Sequence, residues 1–560
     1  MFSVFRLKHV WLVLFSLSIL LADSSLLPVF SAEQQIDQLI QKRLLSAGSP
    51  AEIIIRGESL RAPDLIADFY RNRNYQPAWI HVNRPLKRVF PIVDAIKNVD
   101  REGLSPDDYH LPPVNRLISE IGEALKNDKN ISPGNLVDLD LLLSDAFLLM
   151  GCHYSAGCVN PVTIEAKWFA QPGELDISSI FENAVRKNTV TESLEKLLPS
   201  QDMYGKLKKN LMVYRKLAAQ GGWPEMPDGP LLGKGDKDER IVKLKKRLIV
   251  SGYLPPTVSE PTPLFDNMLE EAILRFQRLH GLVADGIVGS KTLNALNVSA
   301  KKRVRQIELN MERLRWVSRK LGKRYILVNV ADFTLDVIDH DYRVLSMKVV
   351  VGKPYWHTPI FSDQMTYLVL NPYWNVPRSI AVDEVLPKIQ KNPGYLSEQN
   401  MKVISGWGEN QEEIDSATIV WDAMNADTFK YRFRQDPGPK NPLGRVKFMF
   451  PNDFGVYLHD TPSKRLFERT VRVFSHGCIR VEKPLDLAEY LLRKDPKWTR
   501  EKIQAEIDTG TMREVRLPEP INIHILYLTA WVDEDGLLHF RNDIYGRDAK
   551  LDEALRKNTS

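Results

Sequence analysis

The spacing of hydrophobic residues changes along this 560-residue chain, and that change constrains the fold more than any other feature of the sequence. Over 36–222 apolar residues recur at helix spacing, whereas after about 323 they alternate with polar ones and are rich in β-branched side chains. A single helical bundle or a single sandwich cannot satisfy both patterns. The sequence therefore predicts a multidomain α+β protein, with a helical part followed by a mostly β part.

The helical domain at 36–222 contains an unusually apolar run at 135–150, which indicates a long helix. Cys152 and Cys158 follow this run and lie six residues apart. Within one regular helix that spacing separates two thiols by about 9 Å along the axis, too far for a disulfide. Either both are small buried residues, or the chain turns at Gly157 and they pair in an oxidising compartment.

A Pro- and Gly-rich linker at 223–231 leads into a small unit at 232–298. Three short helices are predicted in this unit, over 239–250, 267–280 and 289–296.

Landmarks in its second half are Phe276-Gln, Asp285-Gly-Ile-Val-Gly and Thr292-Leu. They resemble those of the small three-helix peptidoglycan-binding module. The resemblance implies binding to glycan or peptide of the cell wall, but the same residues also suit turns and a packed core.

The third unit, at 301–546, begins with a basic helix at 307–322 and continues in alternating runs typical of strands. An insertion at about 378–440 interrupts the strands, and its length favours a lid or binding loop over a site. Strands return at 521–544 around a turn at 533–536, and we expect them to complete the sheet. Residues 547–560 are predicted to form a tail.

Composition excludes several classes of protein. Lys and Arg number 76 against 71 Asp and Glu, and no block of five like charges occurs, so nucleic acid is not an expected partner. The chain has three cysteines and no C-x2-C pair, which argues against a disulfide scaffold or structural zinc.

The first 32 residues are typical of an export signal. Arg6 and Lys8 precede an apolar stretch at 10–22, which is short for the roughly 20 residues that span a bilayer. A cleaved signal peptide is the first interpretation, and an uncleaved anchor in the inner membrane is the second. Both place the rest of the chain on the outer side of that membrane.

Residues 475–480 read Ser-His-Gly-Cys-Ile-Arg and carry the clearest candidate chemistry. Cys478 lies two residues after His476 and nineteen after His459, a set that could supply a thiol nucleophile and its base. Gly477 would let backbone approach a substrate, while Ser475 and Arg480 could fix the loop by hydrogen bonds. The residue types alone also allow a structural cysteine, or a metal held by His459, His476 and Cys478.

His459 is followed by fifteen residues and then by the motif Ser-His-Gly-Cys-Ile-Arg. This pattern resembles the signature of the L,D-transpeptidase catalytic domain. The similarity extends over 434–453, 457–462 and 478–482. There it resembles the large Gram-negative subfamily, which carries a helical scaffold domain, a peptidoglycan-binding module and a lid insertion.

The resemblance implies Cys478 as nucleophile and His459 as proton acceptor and donor. It also implies a backbone carbonyl next to His459, with that of Asp460 as the candidate, that orients the imidazole, and His476 as a supporting residue. It implies attack on a donor tetrapeptide stem, release of the terminal D-Ala, and a 3→3 cross-link to an acceptor stem. No metal or organic cofactor is required. It further implies action in the periplasm of a Gram-negative bacterium and acylation by carbapenems.

Aromatic residues are candidates for substrate binding in the cleft, although such rings are also common in cores; they are Tyr373, Trp374 and Tyr457. Two other functions are compatible with the sequence. Water could resolve the thioester, which would make the enzyme an L,D-carboxypeptidase, or the module could act alone in a non-catalytic wall-anchoring protein.

Overall fold

The computed structural model describes residues 32–45, 52–81, 85–164, 175–256, 261–319, 321–406 and 411–559. The predicted signal or anchor at 1–32 lies outside these residues except for its last position. Within the described ranges, no helix has both the length and the apolar character needed to cross a membrane.

The N-terminal domain is helical and is followed by a small three-helix module. Its helices are α1 Ala32–Leu45, α2 Pro63–Asn72, α3 Val89–Lys97, α4 Leu111–Lys126, α5 Pro133–Ala156, α6 Pro161–Ile164, α7 Ile177–Lys187, α8 Val190–Glu195 and α9 Asp202–Ala219, with two short strands, β1 Ile54–Ile55 and β2 Glu58–Ser59. The module contains α10 Glu239–Val250, α11 Asn267–Leu279 and α12 Ser290–Leu296.

Helix α5 is the centre of the N-terminal domain and is buried along most of its length. Two carboxylates on this helix hold the surrounding loops. Asp140 accepts hydrogen bonds from the amides of Ala78, Trp79 and Ile80 at 2.8–2.9 Å, and Asp145 accepts from the ring of His110 at 2.7 Å. Buried carboxylates are tolerated when each is satisfied in this way.

The small module owes its shape to one buried glutamine. The side-chain amide of Gln277 donates to Asp285 at 2.8 Å and to the carbonyl of Ile287 at 2.9 Å, while its oxygen accepts from the amide of Gly286. The landmark residues therefore form the turn between α11 and α12, as their structural interpretation expects.

Helix α13, Ala300–Arg315, joins the domains. The sequence predicts a basic helix at 307–322, but the observed helix begins seven residues earlier, where the side chain of Ser299 caps it, and ends at Arg315. The charges of its last turn are buried and paired rather than solvated, since Arg315 pairs with Glu312 at 2.8 Å and Arg313 with Asp548 at 2.6 Å.

The third domain is built on one nine-stranded sheet that curls until β4 pairs with β5 and closes it, in the order β13-β5-β14-β12-β11-β6-β15-β3-β4. Its strands are β3 Arg324–Asn329, β4 Thr334–Asp339, β5 Tyr342–Gly352, β6 Phe361–Leu370, β11 Val446–Met449, β12 Leu458–His459, β13 Val473–Ser475, β14 Ile479–Val481 and β15 Arg513–Leu526. Helices α17 Pro484–Leu492 and α18 Arg500–Asp508 lie between β14 and β15.

The predicted insertion is a subdomain with an apolar core of its own. Its four-stranded sheet contains β7 Trp374–Asn375, β8 Met401–Ser405, β9 Glu412–Ile414 and β10 Arg432–Gln435, and its helices are α14 Arg378–Ile380, α15 Leu386–Lys391 and α16 Tyr395–Glu398. A π-helical turn, Ala381–Val385, precedes α15. Pro387 explains the widened turn, because it has no N–H to continue the α-helical hydrogen bonds.

The C-terminal segments differ from the expectation in two respects. Strands β16 Ala530–Val532 and β17 Leu538–Phe540 form a separate hairpin and do not extend the large sheet as predicted; only β15 joins it. The presumed tail forms a helix, α19 Arg547–Thr559, whose Leu551 is fully buried in the catalytic-domain core.

This hairpin contacts the small module. The guanidinium of Arg541 donates to the carbonyl of Leu279 at 3.0 Å, at the end of α11, and also pairs with Asp332 at 2.6 Å. The ring of Phe540 stacks on His280, with centroids 5.6 Å apart. The module is therefore seated on the C-terminal hairpin of the catalytic domain.

Candidate active site

Strands β12 and β14 bring the two halves of the sequence signature together. The strands are parallel neighbours, with Leu458 opposite Ile479 and His459 opposite Arg480. Leu458 and Ile479 are fully buried in the core. Because successive side chains point to opposite faces of a strand, His459 and Cys478 both lie on the other face.

Cys478 lies at the beginning of β14 and is partly accessible. Its sulfur is 3.9 Å from the carbonyl oxygen of Gly455, and the amide and hydroxyl of Tyr457 also hydrogen-bond to it. Burial raises the pKa of the thiol above its ordinary value, while the contacts with Tyr457 and the charges of Lys447 and Arg480 act in the opposite direction. The resting group is therefore a thiol at neutral pH.

His459 is buried, and the carbonyl of Asp460 fixes its tautomer. Nδ1 lies 2.5 Å from that carbonyl oxygen, which can only accept, so Nδ1 carries the proton and Nε2 has the free lone pair. Burial, with the nearby Arg480, lowers the pKa of the imidazole to about 3. A neutral imidazole with a free Nε2 can accept a proton.

Asp460 is itself held in a tight turn. Its carboxylate accepts from the amide of Arg445 at 2.9 Å and pairs with Lys464 at 2.5 Å. Gly444 makes this packing possible, because a Cβ there would lie 2.4 Å from the carboxylate. The carbonyl that orients His459 therefore depends on a glycine fifteen residues before it.

The loop before Cys478 is fixed by hydroxyl groups. The Ser475 hydroxyl donates to the carbonyl of Cys478 at 2.5 Å and accepts from the amide of Gly477 at 3.1 Å. Thr358 donates to the carbonyl of Gly477 at 2.9 Å. Gly477 has a φ of +115°, a conformation that other residues rarely adopt. Ser475 thus fixes the loop through its hydroxyl, and Gly477 permits the backbone conformation of the loop.

His476 contacts the insertion. Its Nε2 lies 2.6 Å from the carboxylate of Glu384 in the π-helical turn, and its ring meets Trp356 edge to face. The sequence predicts His476 as a supporting residue near the thiol and indicates no partner for it. This contact joins the insertion to the catalytic loop.

Lys447 is a member of the site that sequence reasoning missed. It lies opposite His459 on β11, and its ammonium is 3.8 Å from the centre of the Tyr457 ring. The available signal is the alternation of residues 447–450, in which Phe448 and Phe450 are fully buried and Lys447 lies on the other face of the strand.

The three aromatic candidates have different surroundings. Tyr457 lies against the thiol, as described. Trp374 is half-buried against the insertion's own core, and Tyr373 lies under the guanidinium of Arg434, which is 5.0 Å from its ring centre. Among the residues that the structure describes, no group of three or more His, Cys, Asp or Glu side chains is arranged to hold a metal ion.

Comparison with known families matches three regions of the chain. A scaffold domain model matches 64–211, a model described as "Putative peptidoglycan binding domain" matches 237–296, and the L,D-transpeptidase catalytic domain matches 323–503. The last of these regions, at 323–503, is thus an L,D-transpeptidase catalytic domain, and the two regions before it match a scaffold domain and a peptidoglycan-binding domain.

Similar proteins carry related names. A "Putative L,D-transpeptidase" of Haemophilus influenzae is 33% identical over 231 residues, which are 41% of this chain and 45% of that protein. An N-acetylmuramoyl-L-alanine amidase of Mycobacterium tuberculosis is 34% identical over 80 residues, 13% of this chain and 20% of the other. The chain therefore spans less than half the length of either relative.

Among solved structures, one that is similar to this chain is an L,D-transpeptidase from Xylanimonas cellulosilytica. Its sequence is 12% identical, the match covers 54% of this chain and 99% of that one, and the TM-score is 0.16. Another is L,D-transpeptidase 3 from Mycobacterium tuberculosis, with 12% identity, coverage of 36% and 61%, and a TM-score of 0.18.

Proposed function

We propose that this protein is a peptidoglycan L,D-transpeptidase that forms 3→3 cross-links through a thioester on Cys478. The observation that carries the proposal is the placement of a thiol and a neutral imidazole on one face of two neighbouring strands. A weak nucleophile beside an oriented base is the arrangement that acyl transfer requires.

In the first step, Nε2 of His459 takes the proton of the Cys478 thiol as the sulfur attacks the stem carbonyl. A carbon–sulfur bond forms, and the carbonyl electrons move to the oxygen. The amide of Cys478 and the hydroxyl of Tyr457 are candidates to bind this oxyanion, because both lie beside the sulfur.

Collapse of the intermediate breaks the bond to the terminal D-Ala. The imidazolium of His459 gives its proton to the leaving nitrogen, and the stem remains as a thioester. In the second step, His459 removes a proton from the side-chain amine of an acceptor stem, which attacks the thioester and releases the thiol. No cofactor enters either step.

The surrounding parts support action on the intact wall. The small module matches a peptidoglycan-binding family, and the insertion contacts the catalytic loop through Glu384. We propose that the N-terminal segment at 1–32 exports the chain or anchors it to the inner membrane, so that the enzyme works in the periplasm.

Mass spectrometry of the products tests this proposal. Purified 33–560 protein is incubated with disaccharide-tetrapeptide, with Cys478→Ala as the control. A cross-linked dimer that has lost one D-Ala, absent from the control, is expected. Tripeptide alone would indicate an L,D-carboxypeptidase instead, and no product in either sample would favour the wall-anchoring function.

Carbapenem labelling gives an independent check on the nucleophile. The strained lactam presents a carbonyl to the same sulfur, so we expect intact-mass analysis to show one covalent adduct on the unmodified protein. Labelling of the Cys478→Ala variant to the same extent would place the reactive group elsewhere.

A further inference from the structure

Two cations flank the catalytic-site histidine on its own sheet. Lys447 on β11 and Arg480 on β14 are both register partners of His459 on β12. Residues that face each other across neighbouring strands lie on the same face, with Cβ atoms roughly 5 Å apart. Lysine, imidazole and guanidinium therefore form one row across three strands.

Neither cation has an acidic partner among the described residues. Lys447 and Arg480 are half-buried, and no carboxylate within the described ranges pairs with either one. The Nε atom of Arg480 is fully buried and lacks a hydrogen-bond partner in the same ranges. By contrast, Arg315 and Glu312, buried elsewhere in this chain, are paired at 2.8 Å.

Two half-buried cations without counter-charges are costly to keep in a protein unless an anion joins them. Burial also lowers the pKa of the Lys447 ammonium, as expected for a cation that lacks a carboxylate partner. Lys447 and Arg480 can thus bind a negative group next to His459.

We propose that Lys447 and Arg480 bind the C-terminal carboxylate of the donor stem, so that the enzyme selects stems that end in a free carboxylic acid. This inference rests on the proposed function, because it names the part of the donor that the site recognises. Arginine suits the task, since its guanidinium can hold a carboxylate through two parallel hydrogen bonds.

The chemistry of the leaving group supports this position. The leaving nitrogen must come within hydrogen-bond reach of His459 to receive its proton. In an amino acid, the carboxylate carbon is two bonds from that nitrogen, about 2.5 Å away. A group that binds the carboxylate must therefore lie beside the imidazole, where Lys447 and Arg480 are.

The same cations could instead act on the enzyme alone, by stabilising the Cys478 thiolate. The two roles predict different results. Binding of a substrate carboxylate matters only for donors that possess one. Stabilisation of the thiolate, in contrast, affects the rate with every donor and with every neutral electrophile that the sulfur attacks.

The test compares a tetrapeptide donor that ends in a free acid with the same donor as its C-terminal carboxamide. Wild type is expected to favour the acid at least tenfold in kcat/KM for D-Ala or D-alaninamide release. Lys447→Met and Arg480→Gln should each lose at least tenfold on the acid and less than twofold on the carboxamide. Equal losses on both donors, or no preference in the wild type, would overturn the inference.

Lys348→Met is the matched control. Lys348 is an exposed lysine on neighbouring β5, where it lies 4.0 Å from Glu482, and its replacement should leave both rates unchanged. Because the charge of Lys447 favours the thiolate, alkylation of Cys478 by iodoacetamide, a neutral reagent, should slow in Lys447→Met, but by less than twofold. A parallel loss of alkylation would assign the lysine to the thiolate.

Calorimetry separates this inference from the proposed function. The Cys478→Ala variant cannot turn over, so binding of the two donors to it can be measured directly. Tighter binding of the acid, lost in Cys478→Ala/Lys447→Met, would support the carboxylate site even if wild type released no D-Ala. Equal binding of the acid and the carboxamide would contradict it. Circular dichroism of each variant checks that the fold is intact.

Discussion

The surroundings of Cys478 and His459 keep both groups uncharged at rest. Burial raises the pKa of the thiol and lowers that of the imidazole to about 3, so transfer of the proton between them before substrate arrives is unfavourable. Such a site differs from one that stores a thiolate and an imidazolium. The nucleophile must then be generated during the attack itself.

This charge state predicts the pH dependence of thiol reactivity. The rate of alkylation by iodoacetamide should keep rising above pH 8.5, about the ordinary pKa of a thiol, because burial moves the Cys478 pKa upward. No inflection near pH 6.5 is expected, since His459 stays neutral down to about pH 3. A reactive plateau that begins below pH 7 would instead reveal a preformed ion pair.

A second residue-scale prediction concerns Gly444. Alanine there must adopt a φ of +62° and place its Cβ 2.4 Å from the Asp460 carboxylate, whereas alanine at Gly510, with a φ of +66°, meets nothing within 4 Å. Both variants should lose about 1 kcal/mol of stability from the backbone conformation.

Only Gly444→Ala should also lose turnover, because the clash displaces Asp460, whose carbonyl orients His459. Urea denaturation and the rate of D-Ala release measure the two effects. Similar turnover in the two variants would show that the position of Asp460 does not matter for catalysis.

At the residue scale, the sequence identified the candidate pair but not its neighbours. Cys478 and His459 stand out because their residue types are rare and their spacing resembles that of a known family. Lys447 does not, because its closeness to His459 arises from strand register, and register depends on which strands pair. A lysine in an alternating strand is otherwise an ordinary surface residue.

At the scale of elements, the π-helical turn Ala381–Val385 connects the insertion to the catalytic loop. It presents Glu384 to His476 at 2.6 Å. The contact links a subdomain with an independent core to the loop that carries the thiol. Loss of this link should loosen the insertion without unfolding it.

Glu384→Ala is therefore expected to raise KM for stem peptides severalfold and to change kcat less. Hydrogen exchange over 378–391 should increase, because the turn loses its anchor. Asp383→Ala, at the exposed neighbouring position, should change neither quantity. Unchanged exchange in Glu384→Ala would mean that other contacts hold the insertion.

Elements were predicted well where local signals are strong. Helix α10 coincides with its predicted range because Asp238 caps it and its apolar residues face one side. The predicted range of α13 was wrong because its charges suggested an exposed helix, whereas distant residues, Asp548 for Arg313 and Tyr204 for Arg315, partner the charges of its last turn. The β16–β17 hairpin has the pattern of a sheet strand, and only tertiary contacts reveal that it stands apart.

At the scale of the whole molecule, Arg541 contacts the small module, the catalytic-domain sheet region and the C-terminal hairpin. It donates to Leu279 at the end of α11, pairs with Asp332 in the catalytic domain and packs over the ring of Trp531 at 4.8 Å. Glycine is required at Gly281 because any Cβ there would lie 2.4 Å from this side chain.

Arg541→Ala should detach the module from the C-terminal hairpin. We expect faster proteolysis of the linker at 223–231, a larger radius of gyration in X-ray scattering, and weaker activity on intact sacculi, with activity on soluble stems retained. Arg516→Ala, an exposed position on β15, is the control. An unchanged radius and cleavage rate would show that the stacking of His280 on Phe540 is sufficient.

The hairpin that contacts the module is synthesised late. Arg541 follows Leu279 by 262 residues, so a growing chain finishes the module long before the hairpin that holds it exists. Until then, the module lacks this contact. The contact that fixes the module against the catalytic domain is thus among the last to form, and a chain that ended before the hairpin would carry the module without this fixed position relative to Cys478.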